Sequence, residues 1–123
     1  MHVDQSASTP PADTITFGDF LKVDIRIGTV VLAQPFDEAR RPSVILHIDF
    51  GPALGVKKTS AQIVALYTPE ELVGRQLAAV VNLPPRQIGP LMSEVLTLGF
   101  ADQEGRVTLF SPDSPMPNGA RLL

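Results

Sequence analysis

The stretch "TPEELVGRQLAAVVNL", residues 68–83, joins a capped helix to an apolar strand and decides how the rest of the chain is interpreted. Thr68 is an N-cap candidate, Pro69 takes the favoured first helical position, and Glu71 completes a capping box. Gly74 is suited to end the helix in a left-handed conformation. A short helix followed at once by a strand therefore fixes one point of the topology.

Strand patterns lie on both sides of this helix. Near the N-terminus, Val23, Ile25 and Ile27 alternate with polar or small residues, which is typical of a half-buried strand, and Gly28 marks a bulge or bend in it. A second short helix, "FGDFLK", is predicted after an N-cap at Thr16. Six strands are predicted, at residues 23–34, 43–50, 57–66, 75–83, 93–101 and 105–110.

Strands with one short helix between the third and fourth predict an all-β fold. The five-stranded oligonucleotide/oligosaccharide-binding (OB) barrel has this size and order, and short helices and terminal extensions would complete it. A six-stranded sandwich stays open as an alternative, because strand periodicity does not fix barrel closure. Residues 1–14, rich in Ser, Thr, Pro and Asp, predict a disordered leader, and residues 15–123 form one domain.

Composition argues against several functional classes. The chain has no cysteine, which excludes disulfides and thiolate metal sites, and no apolar run long enough to span a bilayer. A net charge of −3 argues against a uniformly basic surface for nucleic acid. The only histidines are His2 and His47, and His47 beside Asp49 is interpreted as a solvated surface pair. We therefore expect no catalysis, cofactor or metal, no membrane insertion, and a cytoplasmic location.

Several ordered motifs resemble one family. "DIRIG" at residues 24–28, the helix at 68–74, "NLPPR" at 82–86 and the Ser93-Glu94 pair resemble the tRNA-binding OB domain fused to some methionyl-tRNA synthetases. Within that family, "HIDFGPALGVKKTSAQI" and "PDSPMPNG" are similar to the free-standing CsaA-type secretion chaperones. The first loop, "FDEARRPS", departs from the His-Pro-x-Ala-Asp-Lys-Leu of the tRNA-binding branch, which favours the chaperone branch.

The resemblance implies a homodimeric chaperone that binds unfolded or export-destined polypeptides, with tRNA as a further ligand. It also implies that dimer contacts come from the N-terminal helix and the C-terminal segment "TLFSPDSPMPNG", residues 108–119. The alternative is a trans-acting tRNA-binding protein with no chaperone role. A purely structural dimer without any ligand is a third hypothesis.

The proline-interrupted stretch around Arg86 supplies the first candidate site. Pro84 and Pro85 stiffen the rim of the predicted barrel, and a guanidinium suits a phosphate, a peptide carbonyl or a carboxylate. Asn82, Ser93 and Glu94 are predicted to add hydrogen bonds to the ligand. Alternatively, the prolines only end strands and Arg86 pairs with Glu94.

Two further basic pairs complete the predicted peptide- or tRNA-binding site. Arg40 and Arg41 lie in the first loop and are predicted to contact the ligand. Alternatively, the adjacent Asp37 and Glu38 neutralise them. The predicted third strand begins with a second basic pair, which is followed by polar residues. Alternatively, these lysines only protect the edge of the sheet from unwanted strand pairing. These third-strand candidates are Lys57, Lys58, Ser60 and Gln62.

An apolar pocket for unfolded peptide is the last prediction. Phe36 lies in the polar first loop and is expected to be partly exposed, with Leu91 and Met92 across the cleft. Packing of Phe36 under its own loop is the alternative. Base stacking has little support, because the chain has one tyrosine and no tryptophan.

Overall fold

The computed structural model describes residues 6–123, in which short strands dominate. The elements are α1 (Phe17–Leu21), β1 (Ile25–Pro35), β2 (Val44–Asp49), β3 (Val56–Ala61), α2 (Pro69–Leu72), β4 (Gln76–Val80), β5 (Arg86–Ile88), β6 (Leu91–Ser93), β7 (Leu96–Thr97), β8 (Gly99–Ala101) and β9 (Val107–Leu109). Of the predicted leader, residues 1–5, with His2, lie outside the described residues, and residues 6–14 are exposed without helix or strand.

Five antiparallel strands form the main sheet in the order β3-β2-β1-β4-β7. Its two ends meet, because the Glu94 amide donates to the Lys58 carbonyl at 2.8 Å and the Lys58 amide donates to Glu94 Oε1 at 2.9 Å. The sheet is thereby a nearly closed barrel. The predicted all-β OB fold is confirmed, and the sandwich alternative is wrong.

Alternation along β2 places the core inside this barrel. Val44, Leu46 and Ile48 point inward and are buried, whereas the residues between them are half-buried on the outer surface. The inward side chains pack with Phe50, which follows β2, and with Leu72 of α2. The alternation of residues in the sequence therefore predicts correctly which side chains of β2 point into the barrel and which point outward.

Both predicted capping boxes are confirmed. Thr16 and Asp19 exchange side chain-to-amide hydrogen bonds at the start of α1, and Thr68 and Glu71 do the same at the start of α2. Gly74 follows α2 with φ at +91°, as expected for a residue that ends a helix. Each capping box joins two residues only three positions apart, and it determines the residue at which the helix begins.

Three local predictions are wrong. The predicted strand at 57–66 ends at Ala61, and the predicted strand at 93–101 divides into three short strands. It divides because the chain first bonds to β3 through Glu94 and then moves to β4, where Thr97 lies opposite Ala79. The bulge in β1 lies between Val30 and Leu32 rather than at Gly28.

Gly28 instead allows the core to approach the backbone. A Cβ at this position would lie 2.5 Å from Ile48 Cγ2 and 2.8 Å from the Phe50 ring. Both distances are too short for any side chain at this position. The glycine that sequence patterning assigned to a bend is therefore needed for close packing.

The C-terminal segment, residues 111–123, lies along the part of β1 that β2 leaves uncovered. The Gly119 amide donates to the Ile27 carbonyl at 2.8 Å, and the Leu122 amide donates to the Ile25 carbonyl at 2.9 Å. An ion cluster joins the same two segments, because the Asp24 carboxylate lies 2.6 Å from Arg26 Nε on β1 and 3.3 Å from Arg121 Nε on the C-terminal segment. The segment therefore extends the sheet.

Removing one buried hydroxyl should test barrel closure. Thr59 Oγ1 lies 2.8 Å from Ser93 Oγ and donates to the Val95 carbonyl at 2.8 Å. Thr59→Val breaks both bonds, and we expect it to lower the free energy of unfolding by about 1–3 kcal/mol, measured by urea denaturation.

Thr97→Val is the matched control, because Thr97 Oγ1 is buried without a hydrogen-bond partner in residues 6–123. Replacing that hydroxyl by a methyl group should leave stability unchanged or raise it slightly. Equal losses in the two variants would contradict a closing role for Thr59.

The Asp24 cluster should make stability depend on acid pH. Hydrogen bonding from Arg26, followed by the charges of Arg26 and Arg121, lowers the pKa of Asp24 below its usual value. A lowered native pKa adds stability above about pH 4 that is lost as pH falls through the native value. We expect Asp24→Asn to destabilise the protein at pH 7, with the difference from wild type shrinking as pH falls below about 4.

Urea denaturation at pH 7 and pH 3 measures this difference. Asp13→Asn serves as the control, since Asp13 is exposed and lies before α1. A difference between Asp24→Asn and wild type that stays constant across pH would show that the carboxylate charge is not what stabilises the cluster.

Candidate binding face

Strand register brings six side chains together on the outside of the barrel. Leu32, His47 and Lys58 lie opposite one another across β1, β2 and β3. The neighbouring row is Gln34, Ile45 and Ser60. We call these six residues the outward face. In OB barrels the corresponding surface of strands 2 and 3 is the ligand-binding one.

Two loops border the outward face and touch each other. One is the β1–β2 loop, and the other is the β5–β6 hairpin, which turns at Gly89 with φ at +54°. A Cβ at Gly89 would lie 3.7 Å from Phe36 Cζ and 3.5 Å from the Glu38 carbonyl oxygen. Ser93, bonded to Thr59, holds the other end of the hairpin against β3.

Cations in and around the outward face are free of ion pairs. Among residues 6–123, the ion-paired lysine and arginine residues all lie elsewhere, and they are Lys22, Arg26, Arg106 and Arg121. The predicted site cations form no ion pair with any described residue, and they are Arg40, Arg41, Lys57, Lys58 and Arg86. The described residues therefore contain no ion pair of Arg40 or Arg41 with Asp37 or Glu38, and none between Arg86 and Glu94.

The two lysines of β3 do not act on the same surface. Lys58 lies opposite His47 on the outward face, whereas Lys57 lies opposite the buried Ile48 and is itself half-buried. Successive residues of a strand point to opposite sides, so the sequence pair divides between them. Gln62 is exposed just after β3 ends.

Three residues predicted to offer hydrogen bonds to a ligand use them inside the fold. The Asn82 amide accepts from the Asp24 amide at 2.9 Å and donates to the Lys22 carbonyl at 2.7 Å. Ser93 is buried against Thr59, and Glu94 accepts from the Lys58 amide. Their side chains therefore connect distant segments of the fold, and their contact with a ligand stays a prediction.

The predicted partial exposure of Phe36 is also wrong. Its side chain is 3% exposed and lies next to Gly89 at the tip of the β5–β6 hairpin, so it is packed inside the fold. Leu91 is buried as well, whereas Met92 points to the other side of the hairpin and is 42% exposed. These three side chains do not line one open pocket, because alternation along β6 separates Met92 from Leu91.

His47 is a member of the outward face that sequence analysis set aside. Its presumed partner, Asp49, accepts from the Gly51 amide at 2.9 Å, and the His47 imidazole has no hydrogen bond to any described residue. The feature that identifies His47 is its position opposite Leu32 and Lys58 on the neighbouring strands. The sequence of one strand does not show which residues of other strands lie beside it.

No group of three or more His, Asp or Glu side chains suited to a metal ion occurs in residues 6–123. Over the same residues, no helix is long and apolar enough to cross a membrane. What the geometry offers is a half-apolar strand surface with unpaired cations at its edges, which is suited to binding an extended chain.

Comparisons with known proteins identify the family of the chain. The family model described as "Putative tRNA binding domain" matches residues 25–121. The methionine–tRNA ligase of Flavobacterium johnsoniae is 34% identical over 113 residues, which cover 92% of this chain and 16% of the ligase. The chain thus spans about one sixth of the length of the curated relatives that it matches.

Solved structures are similar over nearly the whole chain. The chaperone CsaA from Bacillus anthracis str. Ames is 48% identical, with a TM-score of 0.85, and the match covers 90% of this chain and 100% of that one. CsaA from Picrophilus torridus is 43% identical, with a TM-score of 0.83 and coverages of 89% and 100%. A MetRS related protein from Pyrococcus horikoshii is 25% identical, with a TM-score of 0.80 and coverages of 91% and 100%.

The family model covers most of the described barrel, and the two CsaA structures share both its fold and more than two fifths of its residues. The chain therefore belongs to the tRNA-binding-domain family and is a CsaA-like member of it.

Proposed function

We propose that this protein is a homodimeric CsaA-like chaperone that binds unfolded or export-destined polypeptides in the cytoplasm and catalyses no reaction. The observation that carries the proposal is the outward face, where an exposed apolar side chain stands beside cations without ion pairs. The similarity to structures named chaperone CsaA supports the same function.

The surface chemistry favours polypeptide over bases as the primary ligand. Leu32 is 38% exposed, and Ile45 is half-buried beside it on the outward face. Of the six residues of that face only His47 is aromatic, so successive bases would find a single stacking platform there. An extended polypeptide gains from apolar burial and from hydrogen bonds to polar side chains without needing such platforms.

Transfer RNA is a second candidate ligand, favoured by the family description and by the unpaired cations at Arg40, Arg41 and Arg86. The two ligands differ in what drives binding. Each phosphate contact with a single strand adds a slope of about 0.7 to the salt dependence of the binding constant, whereas apolar burial is far less sensitive to salt.

Replacing Arg86 should weaken ligand binding without unfolding the barrel. Arg86 is exposed and unpaired, so Arg86→Ala should change the free energy of unfolding by less than about 0.5 kcal/mol. Loss of one charged contact should raise the dissociation constant for a labelled unfolded polypeptide about fivefold. Fluorescence anisotropy at low and at physiological salt measures the dissociation constants for this polypeptide and for labelled tRNA.

Arg106→Ala is the matched control, because Arg106 is ion-paired with Asp102 near the β8–β9 turn. It should leave binding unchanged. Unchanged affinity for both ligands in Arg86→Ala would count against this site, and no binding by wild type at all would favour the purely structural dimer. Binding of tRNA alone would favour the trans-acting RNA-binding alternative.

We assign the dimer contact to α1 and the C-terminal segment with the adjoining β8–β9 hairpin. This surface carries exposed apolar side chains, including Phe17 at 71% and Phe100 at 63%. Beside them, a cavity of about 330 Å³ is lined by residues such as Ile27, Phe110 and Leu122. Exposed apolar groups of this size are typical of a protein–protein interface.

The double variant Phe17→Ser/Phe100→Ser should convert a dimer into a monomer, because both apolar anchors would be lost. Sedimentation velocity measures the change, and Val73→Ser, an exposed apolar residue next to α2, is the control. A dimer that persists in the double variant would place the contact elsewhere.

A further inference from the structure

We infer that His47 contacts the bound polypeptide and, together with Lys58, directs the outward face toward segments that combine apolar and acidic residues. The affinity for such segments then rises as pH falls from 8 to 6. This inference rests on the proposed chaperone function and names the substrate class and pH response of the same site.

His47 stands at the centre of the face rather than at its edge. In the strand register it lies between Leu32 on β1 and Lys58 on β3, with Ile45 two residues before it on the same side of β2. An extended ligand crossing the face would therefore meet an apolar side chain, an imidazole and an ammonium group in sequence. Because successive side chains of an extended segment point to opposite sides, this arrangement suits a segment in which apolar residues and carboxylates alternate at every second position.

The imidazole is available for a ligand. It is half-buried, and neither nitrogen has a hydrogen bond to any described residue. The groups that would otherwise fix it are engaged elsewhere, since the Asp49 carboxylate accepts from the Gly51 amide and Glu94 accepts from the Lys58 amide. An unpartnered polar ring beside an unpaired cation is a site that an incoming carboxylate can complete.

The charges around His47 determine the sign of the pH effect. From β3 it faces Lys58, from β1 the neutral Leu32 and Gln34, and along β2 the half-buried Asp49. The nearest loop adds further charges of both signs, at Asp37, Glu38, Arg40 and Arg41. As a residue type, histidine is the one whose charge changes in the range around pH 8 to 6, whereas carboxylates of a peptide stay ionised there, so a contact between the two predicts tighter binding at the lower pH.

Charge complementarity selects acidic rather than neutral or basic segments. The chain as a whole has a net charge of −3, yet the cations in and around this face lack ion pairs. Four carboxylates, Asp37, Glu38, Asp49 and Glu94, also lie near this face, but none of them forms an ion pair with these cations, and Asp49 and Glu94 accept from backbone amides. The cations are therefore available to anionic ligands at that place. Acidic side chains on an unfolded polypeptide supply that charge, and apolar neighbours supply contacts for Leu32 and Ile45.

The inference is tested with two extended peptides of about twelve residues. Both are labelled with tetramethylrhodamine, because the emission of this dye is insensitive to pH. One repeats Leu-Ser-Glu-Ser, so that Leu and Glu alternate along one side of the extended chain, and its isosteric partner repeats Leu-Ser-Gln-Ser. Anisotropy titrations at pH 8 and pH 6, at constant low ionic strength, should show the Glu peptide binding about two- to fivefold tighter at pH 6, as one half-exposed ion pair permits. The Gln peptide should bind weakly and equally at both values.

Variants assign the effect to one ring. His47→Gln should abolish the pH dependence, His47→Lys should bind the Glu peptide tightly at both pH values, and His2→Gln, which removes the only other histidine, should behave as wild type. Circular dichroism confirms that each variant is folded.

Distinct failures have distinct meanings. Peptide binding whose pH dependence survives in His47→Gln overturns the inference and leaves the chaperone proposal intact. Binding of neither peptide overturns both. A His47-dependent pH effect on tRNA, with none on the peptides, overturns the inference in favour of an RNA-binding face.

Discussion

Closure of the barrel depends on the contact between β3 and the segment that leaves β6. There the Lys58 and Glu94 residues exchange hydrogen bonds, and the Thr59 hydroxyl meets Ser93 in the barrel wall. An open five-stranded sheet would expose unpaired edges, and this contact covers them. It also fixes the β5–β6 hairpin next to β3, so the same few bonds close the fold and place one border of the outward face.

The polar residues divide into two groups with different roles. Asn82, Ser93 and Glu94 use their hydrogen-bonding groups to join parts of the chain that are far apart in sequence. The cations around the outward face are not used in this way, and the aspartates and glutamates near them bond backbone amides or remain solvated. Because none of these acidic groups forms an ion pair with the cations, the cations are free for a ligand.

Interactions close in sequence could be predicted, and distant ones could not. The capping boxes of α1 and α2 span three residues each, and the inward and outward sides of β2 follow from its period of two. The roles of Asn82 and Glu94 depend on partners 58 and 36 residues away, which no local pattern reveals. His47 was set aside for the same reason, because its place beside Lys58 depends on strand register, and Phe36 was misjudged because a loop sequence does not show what covers it.

Nuclear magnetic resonance of uniformly ¹⁵N-labelled protein, titrated with an unlabelled extended polypeptide, tests the binding face most directly. The structure predicts that amide shifts will change together at Leu32, His47 and Lys58 and in the β1–β2 loop and β5–β6 hairpin, with little change in the C-terminal segment. Changes confined to α1 and residues 111–123 would contradict the account, because the polypeptide would then occupy the surface assigned to the second copy.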